Sequence, residues 1–143
     1  MQKKSSLPCS EITETIIRCY YKTIDSLGTV RGTPVPTFRS QLANAIRKQG
    51  LRVQINKTIE VRDNNGRLID TVKVEMVVDG LVIVNIKNVQ DLTTKHFASG
   101  TYQMEAGGYP VGLLLNYGEK DRKIRRFTAP RHYRKGPWKC PGS

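Results

Sequence analysis

The sequence predicts an α/β fold in which helices lie on the faces of a mixed central β-sheet. The chain begins with two segments whose apolar residues have helical spacing, and three or four stretches of alternating apolar and polar residues follow. A third helical segment and two further strands complete the chain. Each amphipathic element buries its apolar side against the sheet, so the order α-α-β-β-β-α-β-β predicts an α/β sandwich. At 143 residues the chain suits one domain with one core.

Two N-terminal helices are predicted from apolar spacing and from residues that favour helix ends. Ser10 is a suitable N-cap for the first helix, and Gly28 ends it. Residues 29–36 contain Gly and Pro and predict a loop, after which Thr37 is a suitable cap for a second helix over Phe38–Gln49. The second helix carries three cations that we expect on its solvated surface: Arg39, Arg47 and Lys48.

The first strands follow directly. Leu51–Ile55 and Thr58–Arg62 are either two strands divided by a kink at residues 56–57 or one long strand. Residues 63–66 have the composition of a turn. Leu68–Val78 and Leu81–Asn88 then form the central pair of strands.

The turn at Asp79-Gly80 decides which side chains share a face of the sheet. An Asp-Gly between two runs rich in Val and Ile is a strong hairpin signal. A two-residue turn would put polar residues of one strand on the same face of the sheet as apolar residues of the next. An odd loop, for instance residues 78–80, would put the polar residues on one face and the apolar residues on the other. We favour the odd loop, because it puts Val74 and Met76 on the apolar face. The opposite face then carries Lys73, Glu75, Asn85 and Lys87.

This polar face has the residue types of a metal-dependent phosphodiesterase. Glu75 would supply a carboxylate for Mg²⁺, and Lys87 a cation near the phosphate or the attacking water. Asn85 would ligate a cation only through its amide oxygen, which carries no negative charge. The alternative interpretation is a strand face with ordinary solvated charges.

The remaining elements are a helix from about Leu92 to Met104, a buried strand over Val111–Asn116 and a basic strand over Lys123–Phe127. Gly100 lies inside this helix, where it costs about 1 kcal/mol relative to Ala. We therefore expect a flexible basic arm over residues 1–9, a domain over 10–128 and a basic tail rich in Pro and Gly over 129–143.

The charge predicts a polyanionic partner. The chain has 24 Lys and Arg against 12 Asp and Glu, a formal charge of +12, which favours nucleic acid. Ribosomal and virion proteins share this bias, so protein subunits of a larger assembly are further candidate partners. The predicted nucleic-acid-binding residues are the cations of the last strand and tail and two interleaved aromatics: Lys123, Arg125, Arg126, Arg131, Arg134, Lys135, Lys139, Tyr133 and Trp138.

The three cysteines and the N-terminus favour an intracellular protein. The cysteines are odd in number, widely spaced and without a C-x-x-C pair, which argues against a disulfide framework and a structural zinc site. A reducing compartment fits this pattern best. The N-terminus has no apolar signal-peptide region, and no apolar run is long enough to span a membrane. We expect an intracellular protein, or one packaged in a virus particle, that is not secreted and has no membrane partner.

The most specific part of the sequence is residues 81–118. VIVNIKNV, LTTKHFASGTYQMEAGGYPVGLLLNYG and the later KIRRF resemble the GxxExxY protein family of the PD-(D/E)XK nuclease-like superfamily, from about Glu11 to Phe127. The resemblance implies a PD-(D/E)XK nuclease-like fold.

The same resemblance implies a damaged active site. The family's first acid falls on Glu75, its second on Asn85, and its lysine is kept as Lys87. Four further motif residues of the family are replaced in this chain: its Glu falls near Val35, its Tyr on Phe38, its Gln on Ser99 and its early His on Ile24. The family's later His is kept as His96. Two of three expected acids are absent, which weakens a site for a hard cation. His96 is then either a general base or a surface or helix-capping residue.

Three hypotheses follow. The first is a non-catalytic protein that binds nucleic acid or serves as a structural subunit of a nucleic-acid-containing assembly, with no cofactor. The second is a divergent Mg²⁺-dependent nuclease, in which Glu75 and Lys87 are catalytic and Glu75 and Asn85 hold the metal. The third is a structural subunit that binds only proteins.

Overall fold

The computed structural model describes residues 9–28, 30–120 and 124–128. Within these residues it has three α-helices, one 3₁₀ turn (Val30–Gly32) and five strands. The order α-α-β-β-β-α-β-β is the predicted one. The helices are α1 (Ser10–Ser26), α2 (Val35–Lys48) and α3 (Thr94–Gly107), and the strands are β1 (Val53–Arg62), β2 (Leu68–Val78), β3 (Val82–Lys87), β4 (Val111–Asn116) and β5 (Ile124–Thr128).

The strands form one sheet in the order β1-β2-β3-β4-β5. The pair β3–β4 is parallel and α3 connects it, whereas the other three pairs are antiparallel, so the sheet is mixed as predicted. Side chains of α1 and α2 pack on one face of the sheet with Met76, Val84 and Ile86, and we call this cluster the α1–α2 core. Met104 of α3 packs on the other face with Val77 and Ile83, and this cluster is the α3 core.

The hairpin between β2 and β3 has an odd loop, as predicted, but it comprises residues 79–81. Met76 pairs with Val84 and Val78 with Val82, and Asp79 and Gly80 both have positive φ angles, of 52° and 67°. The pairing of β2 with β3 extends only from Val78 to Met76. The two strands therefore separate at Glu75, which opens a recess in the sheet.

The prediction that Val74 and Met76 share a face is wrong. Val74 is buried in the α3 core, whereas Met76 is buried in the α1–α2 core. The change of face occurs opposite Asn56, which has a left-handed backbone (φ 55°) between the pairs that Ile55 and Lys57 make with β2. Strand β1 is thus one long strand with an irregularity at the predicted kink.

The ends of two helices differ from the predictions for identifiable reasons. The second helix begins at Val35, three residues before the predicted start, with Pro34 as its N-cap. Proline fits the first turn of a helix, because the N–H groups there have no intrahelical partner, so the Pro-containing loop is partly helix. The first helix is preceded by Cys9 (φ 54°) and has no side-chain cap, and Ser10 is already helical.

Gly100 lies inside α3 because a side chain there would collide with β5. A Cβ atom on Gly100 would lie 2.5 Å from Cζ of Phe127, and one on Gly112 of β4 would lie 2.4 Å from Cε2 of the same ring. The two glycines let the Phe127 ring lie between helix and sheet. The helical cost of Gly100 is therefore offset by packing.

The cysteines and the helix lengths are relevant to the predicted cellular compartment. Cys19 is a buried free thiol, and burial raises its pKa, whereas Cys9 is disulfide-bonded. A disulfide at Cys9 was not predicted, although the prediction concerned a disulfide framework, and the reducing compartment stays a prediction. None of the described helices is long and apolar enough to cross a membrane.

Candidate nucleic-acid interface

An open cavity of about 470 Å³ lies where β2 separates from β3, beside the start of α2. We call it the first cavity. It contains three residues of the predicted polar face (Lys73, Glu75 and Lys87), so the structure brings these together. The other described residues that line it are Val35, Arg39, Asn56, Ile86, Asn88 and Val89.

Glu75 connects three elements at this cavity. Its Oε1 atom accepts a hydrogen bond from Nη1 of Arg39 on α2 at 3.0 Å, which is also an ion pair. Its Oε2 atom accepts the backbone N–H of Ile86 on β3 at 3.0 Å, at the point where the β2–β3 pairing has ended. Both carboxylate oxygens are therefore engaged within the chain, and the side chains of Arg39 and Glu75 are only 19% and 15% exposed.

Arg39 is a site residue that the sequence did not predict. It was expected on the solvated surface of α2, but its guanidinium turns to the sheet. Phe38, the preceding residue, stacks on Tyr117 with ring centroids 4.1 Å apart, which fixes this end of α2 over the end of β4. The available sequence signal was Pro34 and Pro36, because proline suits the start of a helix and a helix that begins at Val35 places Arg39 in its second turn.

Asn85 does not face the first cavity. It is 5% exposed, and its Nδ2 atom donates to Oε1 of Gln103 on α3 at 2.9 Å. The prediction that Glu75 and Asn85 point the same way is wrong, because their partners lie in helices on opposite faces of the sheet. The sequence pattern does not indicate that β2 separates from β3 after Met76. Because Glu75 is no longer paired with β3, its side chain need not share a face with that of Asn85.

The residues of the first cavity do not fit a divalent metal ion. Hard cations such as Mg²⁺ need several oxygen ligands with negative charge. The described lining offers one carboxylate, which is bonded to a guanidinium, beside two lysines. No group of three or more His, Cys, Asp or Glu within residues 9–28, 30–120 and 124–128 could hold a metal. The described cations instead outnumber the carboxylate, which favours anions.

A second cavity of about 530 Å³ adjoins the first and shares Asn88 and Val89 with it. It lies where β3 and β4 end side by side, with Lys87 and Asn116 as the last paired residues. This cavity was not predicted from the sequence, although ligands in α/β proteins commonly bind at the carboxyl ends of parallel strands. The other described residues that line it are Arg31, Gln90, Asp91, Gly118, Glu119 and Lys120.

His96 caps α3. Its Nδ1 atom accepts the backbone N–H of Thr93 at 3.0 Å, and Thr93 and His96 form a capping box. Of the two roles considered for His96, the structure shows the capping role, and His96 lines neither cavity.

The predicted basic residues on β5 are partly buried. Nη1 of Arg126 donates to Oγ1 of Thr13 on α1 at 2.7 Å, and burial lowers the pKa of the guanidinium. Nη1 of Arg125 donates to the backbone oxygen of Ile124. The other predicted binding residues, Lys123, Arg131, Tyr133, Arg134, Lys135, Trp138 and Lys139, lie outside the described residues.

The chain resembles a known family over most of its length. Residues 10–127 match the sequence profile of the PD-(D/E)XK nuclease superfamily, which covers more than half of the chain. No curated protein and no solved structure shows significant similarity to the chain.

Proposed function

The chain belongs to the PD-(D/E)XK nuclease superfamily, and we propose that it binds nucleic acid without hydrolysing it. The observation that carries the proposal is the ion pair between Nη1 of Arg39 and Oε1 of Glu75, at 3.0 Å. It places a fixed cation on the one described carboxylate of the cavity that contains Lys87. We therefore consider the first cavity a site for an anion.

The loss of hydrolysis follows from the ligands that remain. A metal at Glu75 would share the carboxylate with the guanidinium of Arg39, whose positive charge repels it, and with the N–H of Ile86. Asn85, the other candidate ligand, is buried against Gln103. Bringing Asn85 to the cavity would break that hydrogen bond and leave a buried amide unsatisfied, at a cost of about 1–3 kcal/mol.

The binding of nucleic acid follows from the cations. Arg39, Lys73 and Lys87 line one open cavity, and the whole chain carries a formal charge of +12. Phosphate contacts of this kind supply most of the affinity for nucleic acid that does not depend on sequence. The basic tail (residues 129–143) would add further phosphate contacts, and its contribution stays a prediction.

The proposal is tested by measuring nucleic-acid affinity by fluorescence anisotropy for the wild type and two double variants. Lys73→Ala/Lys87→Ala removes two cations of the first cavity. Arg67→Ala/Lys95→Ala removes the same charge from two exposed positions outside both cavities and is the matched control. We expect the cavity variant to bind single strands at least about tenfold more weakly than the control. The slope of log affinity against log salt concentration should be less steep by about 1.4, which is about 0.7 for each of the two lost phosphate contacts.

The same samples are then incubated with single- and double-stranded DNA and RNA in Mg²⁺ or Mn²⁺. We expect no cleavage products. No binding by the wild type at low salt would contradict the proposal and favour a subunit that binds only proteins. Equal losses in the two double variants would contradict the first cavity as the place where nucleic acid binds. Metal-dependent cleavage that disappears in Lys87→Ala would show instead that the chain is a divergent nuclease.

A further inference from the structure

The two cavities are neighbours. Asn88 and Val89 line both, so the first cavity, with Arg39 and Lys87, lies beside the second, with Arg31 and Lys120. A ligand longer than one phosphate group therefore has a second recess beside the first. At about 530 Å³ the second cavity is within the range of roughly 300–1,000 Å³ that is typical of small-molecule sites.

The wall of the second cavity is held in place by one buried side chain. Asn116, which is fully buried, accepts the N–H groups of Val89 and Gly118 at 3.1 Å and donates to the backbone oxygen of Val89 and to Oε1 of Glu119, both at 2.9 Å. The loop after β3 is thus cross-linked to the loop after β4. A recess that is formed before the ligand arrives loses less entropy on binding.

The two cavities differ in charge. Three cations and one carboxylate are among the described residues of the first cavity, so it suits a phosphate. In the second cavity Arg31 and Lys120 are balanced by Asp91 and Glu119, and Gln90 adds an exposed amide. This balanced set of donors and acceptors suits a neutral polar group that has both kinds of hydrogen-bonding atoms.

Resting on the proposed function, we propose that the second cavity binds the base of a nucleotide whose phosphate lies in the first cavity. The edge of a base is a neutral surface with donors and acceptors, which matches the lining of the second cavity. The described lining includes no aromatic side chain, so the base is held by hydrogen bonds rather than by stacking. A base can enter such a recess only when it is unpaired and unstacked, so the ligand is single-stranded nucleic acid.

The test compares a short single strand with an abasic strand of the same length, which keeps every phosphate and lacks the bases. We expect the wild type to bind the abasic strand about tenfold more weakly, equivalent to about 1.4 kcal/mol. In the variant Gln90→Ala/Asp91→Asn this difference should largely disappear. Asp91→Asn removes a negative charge, so reduced attraction to phosphate does not explain such a result. Gln54→Ala, at an exposed amide of β1, is the control and should keep the tenfold difference.

Three results would overturn the base site: equal binding of normal and abasic strands, a difference that persists in the Gln90/Asp91 variant, or binding of a duplex as tightly as of a single strand. Each of these leaves phosphate binding in the first cavity intact. Failure of the proposed function is a different result, in which neither strand binds or Lys73→Ala/Lys87→Ala has no more effect than its control, and this inference then fails with it.

Discussion

Glu75 and Asn85 lie on neighbouring strands, and each connects its strand to a helix, but the two connections differ in charge and in exposure. Glu75 makes an ion pair with Arg39 of α2 beside an open cavity, and the side chains of the pair are 15% and 19% exposed. Asn85 makes a neutral hydrogen bond with Gln103 of α3, where the two residues are 5% and 9% exposed. One face of the sheet thus keeps charge near solvent, and the other buries neutral amides.

The difference follows from the cost of removing charges from water. A neutral amide pair can be buried when its hydrogen bonds are made, whereas a buried ion pair seldom recovers its desolvation penalty. The charged pair is therefore found where water and ligands reach it. We infer that the Glu75 face is the face that meets a ligand and that the Asn85 face maintains the packing of α3.

The largest loss of folding stability is expected from Asn85→Asp, which puts a negative charge on the face that buries neutral amides. A buried carboxylate without a cation has a raised pKa and destabilises the folded state by about 3 kcal/mol when ionised. The unfolded pKa is about 3.9, so the loss of stability should be absent below that pH and should grow as the pH rises towards the raised folded pKa. Urea unfolding of the variant and the wild type between pH 3.5 and 8 measures it.

Asn65→Asp is the control for this substitution, because Asn65 is exposed in the turn between β1 and β2. It should show no comparable loss. If Mg²⁺ stabilised Asn85→Asp by several kcal/mol, position 85 would reach a metal site after all, and the separation of the two faces would be refuted.

An intermediate loss of folding stability is expected when Gln103, the hydrogen-bond partner of Asn85, is replaced. Gln103→Leu leaves the Nδ2 atom of Asn85 buried without its acceptor and should cost about 2 kcal/mol of stability. The double variant Asn85→Leu/Gln103→Leu replaces both amides with apolar groups and should recover to within about 1 kcal/mol of the wild type. Urea unfolding of the two single variants and the double variant gives the coupling energy. Additive losses would mean that the hydrogen bond does not connect β3 to α3 as a unit.

Much of the fold could be predicted because local patterns determine it. The predicted bounds of β2 (Leu68–Val78) and β4 (Val111–Asn116) agree with the structure at every residue, since both runs are dense in β-branched or apolar residues and end at turn residues. The start of α2 was missed because the Pro content of the loop was interpreted as non-helical, although Pro34 lies at the helix N-cap. The odd hairpin loop was predicted from the requirement for one apolar face.

The candidate site was less predictable because it depends on tertiary geometry. The alternation along β2 and β3 gives the face of each side chain only while the strands remain paired, and pairing stops at Met76. Asn85 still pairs with Leu114 of β4 and keeps the alternation of β3, so it faces α3. Glu75 lies beyond the last β2–β3 pair, opposite Asn56 where β2 changes face, and it turns to Arg39, which is distant in sequence. Glu75 and Lys87 were nevertheless correctly predicted to lie close together, as both line the first cavity.

The smallest effect on stability is expected from Glu75→Gln on the charged face. The substitution keeps the size of the side chain and an acceptor for the N–H of Ile86, but it removes the charge that faces Arg39. Because the pair is partly exposed, the loss should be only about 1 kcal/mol in urea unfolding.

The same substitution should act in the opposite direction on binding. Without the carboxylate, the guanidinium of Arg39 is free to bind a phosphate, so the affinity for single-stranded nucleic acid should rise about threefold in anisotropy measurements, and the rise should diminish in high salt. Glu60→Gln is the matched control, because it removes a carboxylate paired with Arg62 at 3.1 Å on the exposed surface of β1. A fall in affinity in Glu75→Gln alone would mean that Glu75 positions Arg39 for the ligand rather than competing with it, and the charged pair would then be part of the binding site itself.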